Sequence, residues 1–125
     1  MEKVTNEDIR KLVALHEAMQ AREALYKKEL NTTPSFPQEF TDTAAYYEAV
    51  DALYAREKRL QHLLSQWKEA EREYGKVAVE LSMRLKPDLF RFRIQVNGQE
   101  YRVRLLSDTR RFKITPILEE EERTA

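Results

Sequence analysis

Cysteine is absent from this chain of 125 residues, and glycine and proline are scarce, with two and four residues. The missing cysteine excludes disulfide bonds, thiolate metal sites and thiol nucleophiles. It also fits a reducing compartment, so we expect a cytoplasmic protein. A chain with so few turn-forming residues must spend most of its length in long regular elements. The length predicts one domain, covering residues 1–118.

Several functional signatures are missing as well. No apolar run approaches the roughly 20 residues that a membrane-spanning helix needs, and the polar start, 1–8, is unlike a signal peptide. We therefore expect no membrane partner. The sequence has no glycine-rich phosphate loop and no strand–turn–helix serine elbow, and its two histidines, His16 and His62, fall on different helix faces. We expect a non-enzymatic protein with no catalytic site, metal or cofactor.

Two long stretches carry apolar residues at alternating three- and four-residue steps, the period of an amphipathic helix. The first predicts a helix at 6–30, with Thr5 and Asp8 as its N-terminal cap. A loop at 31–42 follows. The second predicts a helix at 43–86, capped by one of residues 41–43 and ended by Pro87. Gly75 is its weak point, since glycine costs about 1 kcal/mol relative to alanine inside a helix.

The remainder of the chain changes to a period of two, which is typical of strands. Strands are predicted at 89–96, 99–106 and 111–118, and Asn97-Gly98 favours a two-residue type I′ turn. That turn fixes the register of the first two strands, and a four-residue loop at 107–110 fixes that of the last two. Together they pair apolar residues on one face: Phe90 with Leu105, Phe92 with Val103, Ile94 with Tyr101, Leu105 with Phe112, and Val103 with Ile114. They pair basic residues on the other face: Arg91 with Arg104, Arg93 with Arg102, and Arg104 with Lys113.

The apolar face of a three-stranded sheet needs a cover. We expect the first helix to lie antiparallel to about the first 25 residues of the second, which leaves the apolar stripe from Trp67 to Leu85 free. The predicted fold is therefore α+β, a long antiparallel helical hairpin followed by a three-stranded antiparallel β-meander packed on the C-terminal half of helix two. In the alternative, the free stripe pairs with a second copy in a coiled coil. The same alignment, with Leu30 opposite Thr43, brings His16 level with Glu57.

Charge is balanced overall, with 22 basic and 22 acidic residues, but it is unevenly distributed. The region 89–118 carries seven basic and two acidic residues, and 119–122 are four glutamates, from which we expect a flexible acidic tail at 119–125. The candidate macromolecule-binding residues are Arg91, Arg93, Arg102, Arg104, Arg110, Arg111 and Lys113. Because like charges opposite one another destabilise a sheet, a bound anionic partner would offset their repulsion. In the alternative, these residues have no binding role and form an ordinary solvated surface. The tail either covers these arginines or only keeps the protein in solution.

Aromatic residues at the start of helix two form a second candidate surface. Tyr46 and Trp67 fit the core of the hairpin, whereas Tyr47 and Tyr54 fall on a neighbouring stripe. Tyrosine is enriched at interfaces, so the candidate protein contact is Phe36, Phe40, Tyr47 and Tyr54.

The leading hypothesis is an adaptor or regulatory protein whose arginine-rich sheet face binds an acidic protein surface. The alternative is a nucleic-acid-binding accessory protein that contacts phosphates through the same face. A second alternative is a structural homodimer through helix two. The sheet aromatics point away from the arginines, which weighs against base stacking on that face.

Overall fold

The computed structural model describes residues 3–32, 36–86 and 91–118. Two helices, α1 at Asn6–Asn31 and α2 at Thr43–Arg84, precede three strands, β1 at Arg91–Val96, β2 at Gln99–Leu105 and β3 at Phe112–Pro116. The predicted α+β order is confirmed; β2 ends one residue earlier than expected, and β3 is three residues shorter than the predicted 111–118. α2 ends two residues before the expected end at 86. Pro87, the start of the first strand at 89–90 and the acidic tail lie outside the described residues.

Side-chain caps begin both helices. The Thr5 backbone N–H donates to Asp8 Oδ2 at 2.9 Å, and the Asp8 N–H donates to Thr5 Oγ1 at 3.2 Å, which is a reciprocal capping box. The bond from the Thr5 backbone is the main reason that the pKa of Asp8 lies below its usual value. At α2 the Ala45 N–H donates to Asp42 Oδ1 at 2.7 Å, so Asp42 is the cap among the three candidates.

The chain forms two compact units. The first comprises Met1–Met19 and Ala70–Ala125, and the second comprises Gln20–Glu69. The start of α1, the end of α2 and the whole sheet belong to the first unit. The end of α1, the loop and the start of α2 belong to the second.

The sheet of the first unit has the strand order β1-β2-β3, with both pairs antiparallel. Every predicted pair within the described residues is confirmed, including Ile94 with Tyr101 and Arg104 with Lys113; the pair of Phe90 with Leu105 lies outside them. Asn97 and Gly98 have φ angles of 51° and 82°, the left-handed values that a type I′ turn requires. The β-meander and its register therefore follow from local turn chemistry.

The core of the first unit lies between this sheet and both helices. Its buried residues are Ile9, Leu12 and Val13 from α1, Leu81 from α2, and Ile94, Tyr101, Val103 and Leu105 from the sheet. The sheet packs on the C-terminal half of α2, as predicted. The start of α1 also covers the sheet, which was not predicted. Arg84 Nη2 donates to the Lys3 carbonyl at 2.9 Å, so the start of α1 and the end of α2 lie side by side. The part of the apolar stripe from Tyr74 to Leu85, which a coiled-coil dimer would need, is thus part of this core.

Within the second unit, an arginine fixes how α1 ends against α2. The Arg56 guanidinium donates to the carbonyls of Thr32, Glu29 and Leu30 at 3.1–3.2 Å. Carbonyls of the last helical turn lack the usual N–H partner four residues on, although the Glu29 carbonyl also accepts the Thr32 N–H at 3.2 Å. A cation at a helix C-terminus also interacts favourably with the helix dipole. Leu30 therefore lies level with Arg56, and the expected alignment of Leu30 with Thr43 was wrong by thirteen residues.

That alignment error also removes the expected pairing of His16 with Glu57. The His16 ring lies against the Tyr74 ring, with centroids 5.4 Å apart, and its Nδ1 is 3.4 Å from Glu17 Oε1. Glu57 is exposed. The polar positions of the two helix stripes do not meet, because the helices are offset from the alignment that would bring them together.

Candidate macromolecule-binding face of the sheet

Strand alternation places one set of cationic side chains on the face of the sheet opposite the core. We call this set the basic face; it consists of Arg91, Arg93, Arg102, Arg104 and Lys113, all exposed. Directly opposed residues on neighbouring strands are Arg91 and Arg104, Arg93 and Arg102, and Arg104 and Lys113. Arg104 therefore faces a cation on both sides.

The basic face is concave. Its side chains, with Thr115 beside Lys113, border a shallow depression of about 560 Å³. One carboxylate already lies at its edge, since Arg93 Nε and Nη2 both donate to Glu100 Oε2, at 3.2 and 2.8 Å. Across residues 3–32, 36–86 and 91–118 the other four cations form no ion pair. Thr115 could have been found by counting two residues on from Lys113, whereas the role of Glu100 as a partner of Arg93 depends on rotamers that the alternation does not specify.

Like charges on directly opposed strand residues cost roughly 0.2–1 kcal/mol for each pair. Three such pairs crowd this face, and in the described part of the chain Arg93 is the one cation of the face with a carboxylate partner. The arrangement holds repulsion that an anionic ligand would relieve.

Two predicted members, Arg110 and Arg111, do not belong to the basic face. Arg110 lies in the β2–β3 loop with a left-handed φ of 53°, and its Nη2 donates to the Ser82 carbonyl at 2.6 Å. Ser82 is in the last turn of α2, so this arginine ties the loop to the helix end. Its backbone N–H also donates to the Leu106 carbonyl at 2.9 Å, which closes the loop. Arg110 therefore has a structural contact with α2, and both arginines lie beside the basic face, at the adjoining loop where the sequence places them.

Arg111 borders a second groove of the first unit, on the helix side of the sheet. This groove has a volume of about 610 Å³, and its lining includes His16, Met19, Tyr74 and Phe112. Burial raises the pKa of the Tyr74 hydroxyl. Within the described residues no group of His, Cys, Asp or Glu side chains is placed to hold a metal ion.

The second candidate surface lies in the second unit. Ring contacts connect Phe36 to Phe40, Phe40 to Tyr46, and Tyr46 to Tyr47, with centroids 5.3–5.4 Å apart. We call these four residues the aromatic cluster. Tyr46 is 44% exposed, so its expected place in the core was wrong, because α1 ends at the level of Arg56 and does not reach it. Tyr47 and Tyr54 are 64% and 62% exposed, as expected for an interface.

None of the helices in the described part of the chain is long and apolar enough to cross a membrane. Comparisons with models of known protein families, with curated proteins and with solved structures found no match.

Proposed function

We propose that this protein is a non-enzymatic adaptor or regulator, working in a reducing compartment such as the cytoplasm, that binds an acidic segment of another protein. The basic face is the binding surface. The observation that carries the proposal is the set of opposed cations around one concave surface, four of which form no ion pair within the described residues.

The geometry of the basic face suits an extended acidic peptide. Side chains on one face of a strand repeat at about 6.7 Å, and neighbouring strands lie about 4.8 Å apart. A peptide in the extended conformation presents alternate carboxylates at the same 6.7 Å repeat. The guanidinium group can donate two parallel hydrogen bonds to a carboxylate. The contact of Arg93 with Glu100 is an internal example of guanidinium–carboxylate recognition on this face.

Nucleic acid is the weaker candidate on the same observations. Proteins that bind single strands combine cations with aromatic side chains on which bases stack. Here Tyr101 is buried in the core. Phe92 and Phe112 also pack against the core, on the side of the sheet away from the basic face. The basic face can offer phosphate contacts but no stacking surface.

The test is fluorescence anisotropy with three labelled probes of matched charge: an acidic peptide of alternating glutamates, single-stranded RNA and double-stranded DNA. At about 50 mM salt, where electrostatic association is strong, we expect the peptide to bind tightest. The double variant Arg102→Glu/Arg104→Glu should abolish binding. The matched control, Arg72→Glu/Lys76→Glu on the exposed side of α2, changes the net charge equally and should bind like the original protein. Tighter binding of either nucleic acid, or equal losses in both variants, contradicts the proposal.

A truncation tests the acidic tail in the same assay. The four glutamates at 119–122 follow closely after Ile117, whose N–H donates to the Glu100 carbonyl at 2.9 Å. Any contact of these glutamates with the basic face would be intramolecular, which favours it by a high effective concentration. If the tail competes with the partner, deletion of residues 119–125 will tighten peptide binding at low salt but not at high salt. Unchanged affinity at low salt removes the tail from the mechanism and leaves the basic face as the binding site.

A further inference from the structure

One side of α2 in the second unit is exposed and carries two tyrosines. Tyr47, Asp51, Tyr54 and Lys58 are all exposed and recur at three- and four-residue steps, so they share one side of the helix, which we call the tyrosine face. Arg56, which holds the end of α1, lies two residues from Tyr54 and thus about 200° around the helix. The tyrosine face is therefore directed away from α1.

The two charges of the tyrosine face are arranged for self-recognition. Asp51 and Lys58 lie three and four residues from Tyr54, on the same flank, at about 40–60° from it around the helix. In the described ranges of the chain neither forms an ion pair. The acidic residue is on the N-terminal side of Tyr54, and the basic residue is on the C-terminal side.

We propose that the tyrosine face binds a second copy of this chain in an antiparallel, two-fold symmetric helix pair. A two-fold axis that passes between residues 54 and 55 brings Asp51 of each copy level with Lys58 of the other. This operation keeps each flank of one helix on the same side as the corresponding flank of the other, so both ion pairs form at once. The two Tyr54 side chains meet near the axis.

The apolar area available is that of a modest interface. Taking roughly 200 Å² for each aromatic side chain, the exposed fractions of Tyr47 and Tyr54 correspond to about 250 Å² per copy. A standard interface buries about 800 Å² per partner. Flanking polar residues supply the rest, so we expect a dissociation constant on the order of ten micromolar.

Charge reversal gives the decisive test. In sedimentation velocity over roughly 2–200 µM, the full chain should change from monomer to dimer by mass action. Asp51→Lys and Lys58→Asp each place like charges opposite one another and should weaken the dimer about tenfold. The double variant Asp51→Lys/Lys58→Asp restores opposite charges and should recover the original dissociation constant to within about threefold. A monomer at every concentration, or a double variant as weak as the single ones, overturns the proposal.

The absence of cysteine provides an independent readout. Tyr54→Cys places one thiol next to the proposed two-fold axis, so mild oxidation should yield a covalent dimer. Arg72→Cys, at an exposed position of α2 in the first unit, should remain mostly monomeric under the same conditions. Equal cross-linking of the two variants means random collision and refutes this arrangement. All four substituted positions are exposed, so the fold should persist, which circular dichroism checks.

Discussion

Replacing Arg104 by threonine should make the protein more stable while it weakens the proposed binding. Arg104 is opposite Arg91 on β1 and Lys113 on β3. Each like-charge pair costs roughly 0.2–1 kcal/mol, so the substitution removes two penalties, and threonine also favours strands. We expect the free energy of unfolding to rise by about 1 kcal/mol, which for a protein of this size raises the Tm by about 4 °C.

The assay is thermal unfolding at low and high salt, with two companion variants. Arg91→Thr removes only one of the like-charge pairs and should give about half the gain. Gln95→Thr, on the same face but opposite Glu100, should give none beyond the small difference in strand preference. At about 1 M salt the Debye length falls to about 3 Å, so the advantage of Arg104→Thr should largely disappear.

Two results would refute this reasoning. If Arg104→Thr does not stabilise the protein at low salt, the opposed cations are not repelling one another to a measurable degree. If the gain persists unchanged at high salt, its source is strand preference and not charge. The binding measurement completes the argument: stability and affinity for the acidic peptide should move in opposite directions, as expected where repulsive charges are kept for a ligand.

Three further predictions concern the helices and turns. Arg56→Met should lower the free energy of unfolding, measured in urea, by about 1–2 kcal/mol, because the final carbonyls of α1 lose a charged donor. The control Arg59→Met breaks an exposed ion pair and should change this free energy by less than about 0.5 kcal/mol. Equal losses in the two variants would show that the carbonyl contacts are unimportant. Gly75→Ala should stabilise the protein by about 1 kcal/mol, since a Cβ there meets nothing within 4 Å. Gly98→Ala should destabilise the protein by about 1 kcal/mol, because the φ of +82° strains any residue with a Cβ. Shifts of the same sign in the two thermal unfolding curves would contradict this. The pKa of Asp8 is lower in the folded state than in the unfolded state. The stability that Asp8 contributes is therefore present above about pH 4 and is lost as the pH falls through the folded-state pKa. Asp8→Asn should make the free energy of unfolding fall less steeply at acid pH, and a pH dependence parallel to that of the original protein would disprove the effect.

The sheet could be predicted in detail because its geometry is set locally. A period of two assigns each side chain to a face. The turn at Asn97-Gly98 sets the pairing of β1 with β2, and the four-residue loop at 107–110 sets that of β2 with β3. The basic face follows from the same rule, since Arg93 and Arg102 have the correct parity. The contact of Arg110 could not be predicted in this way, because the alternation of faces ends where the strand ends. No sequence pattern indicates the left-handed backbone conformation of this arginine.

The alignment of the helices could not be predicted because their apolar stripes repeat every seven residues. Sliding one helix past the other by about two repeats leaves apolar residues facing apolar residues, so the pattern favours several alignments almost equally. The deciding contact is polar and nonlocal: Arg56 reaches the carbonyls at the end of α1. The same offset exposes Tyr46 and separates His16 from Glu57, so one undetermined parameter accounts for all of these errors.

The two proposed surfaces can be separated by one experiment because they lie in different units. The basic face belongs to the first unit and the tyrosine face to the second. A peptide with a single acidic segment should bind equally well to the original protein and to Asp51→Lys, since one copy supplies the whole site. A peptide with two such segments on a long flexible linker can engage both copies of a dimer, and avidity should make its binding at least tenfold tighter to the original protein than to Asp51→Lys. Loss of single-segment binding in Asp51→Lys would instead mean that the two surfaces are energetically coupled, and by linkage the single-segment peptide would then strengthen the dimer by the same factor.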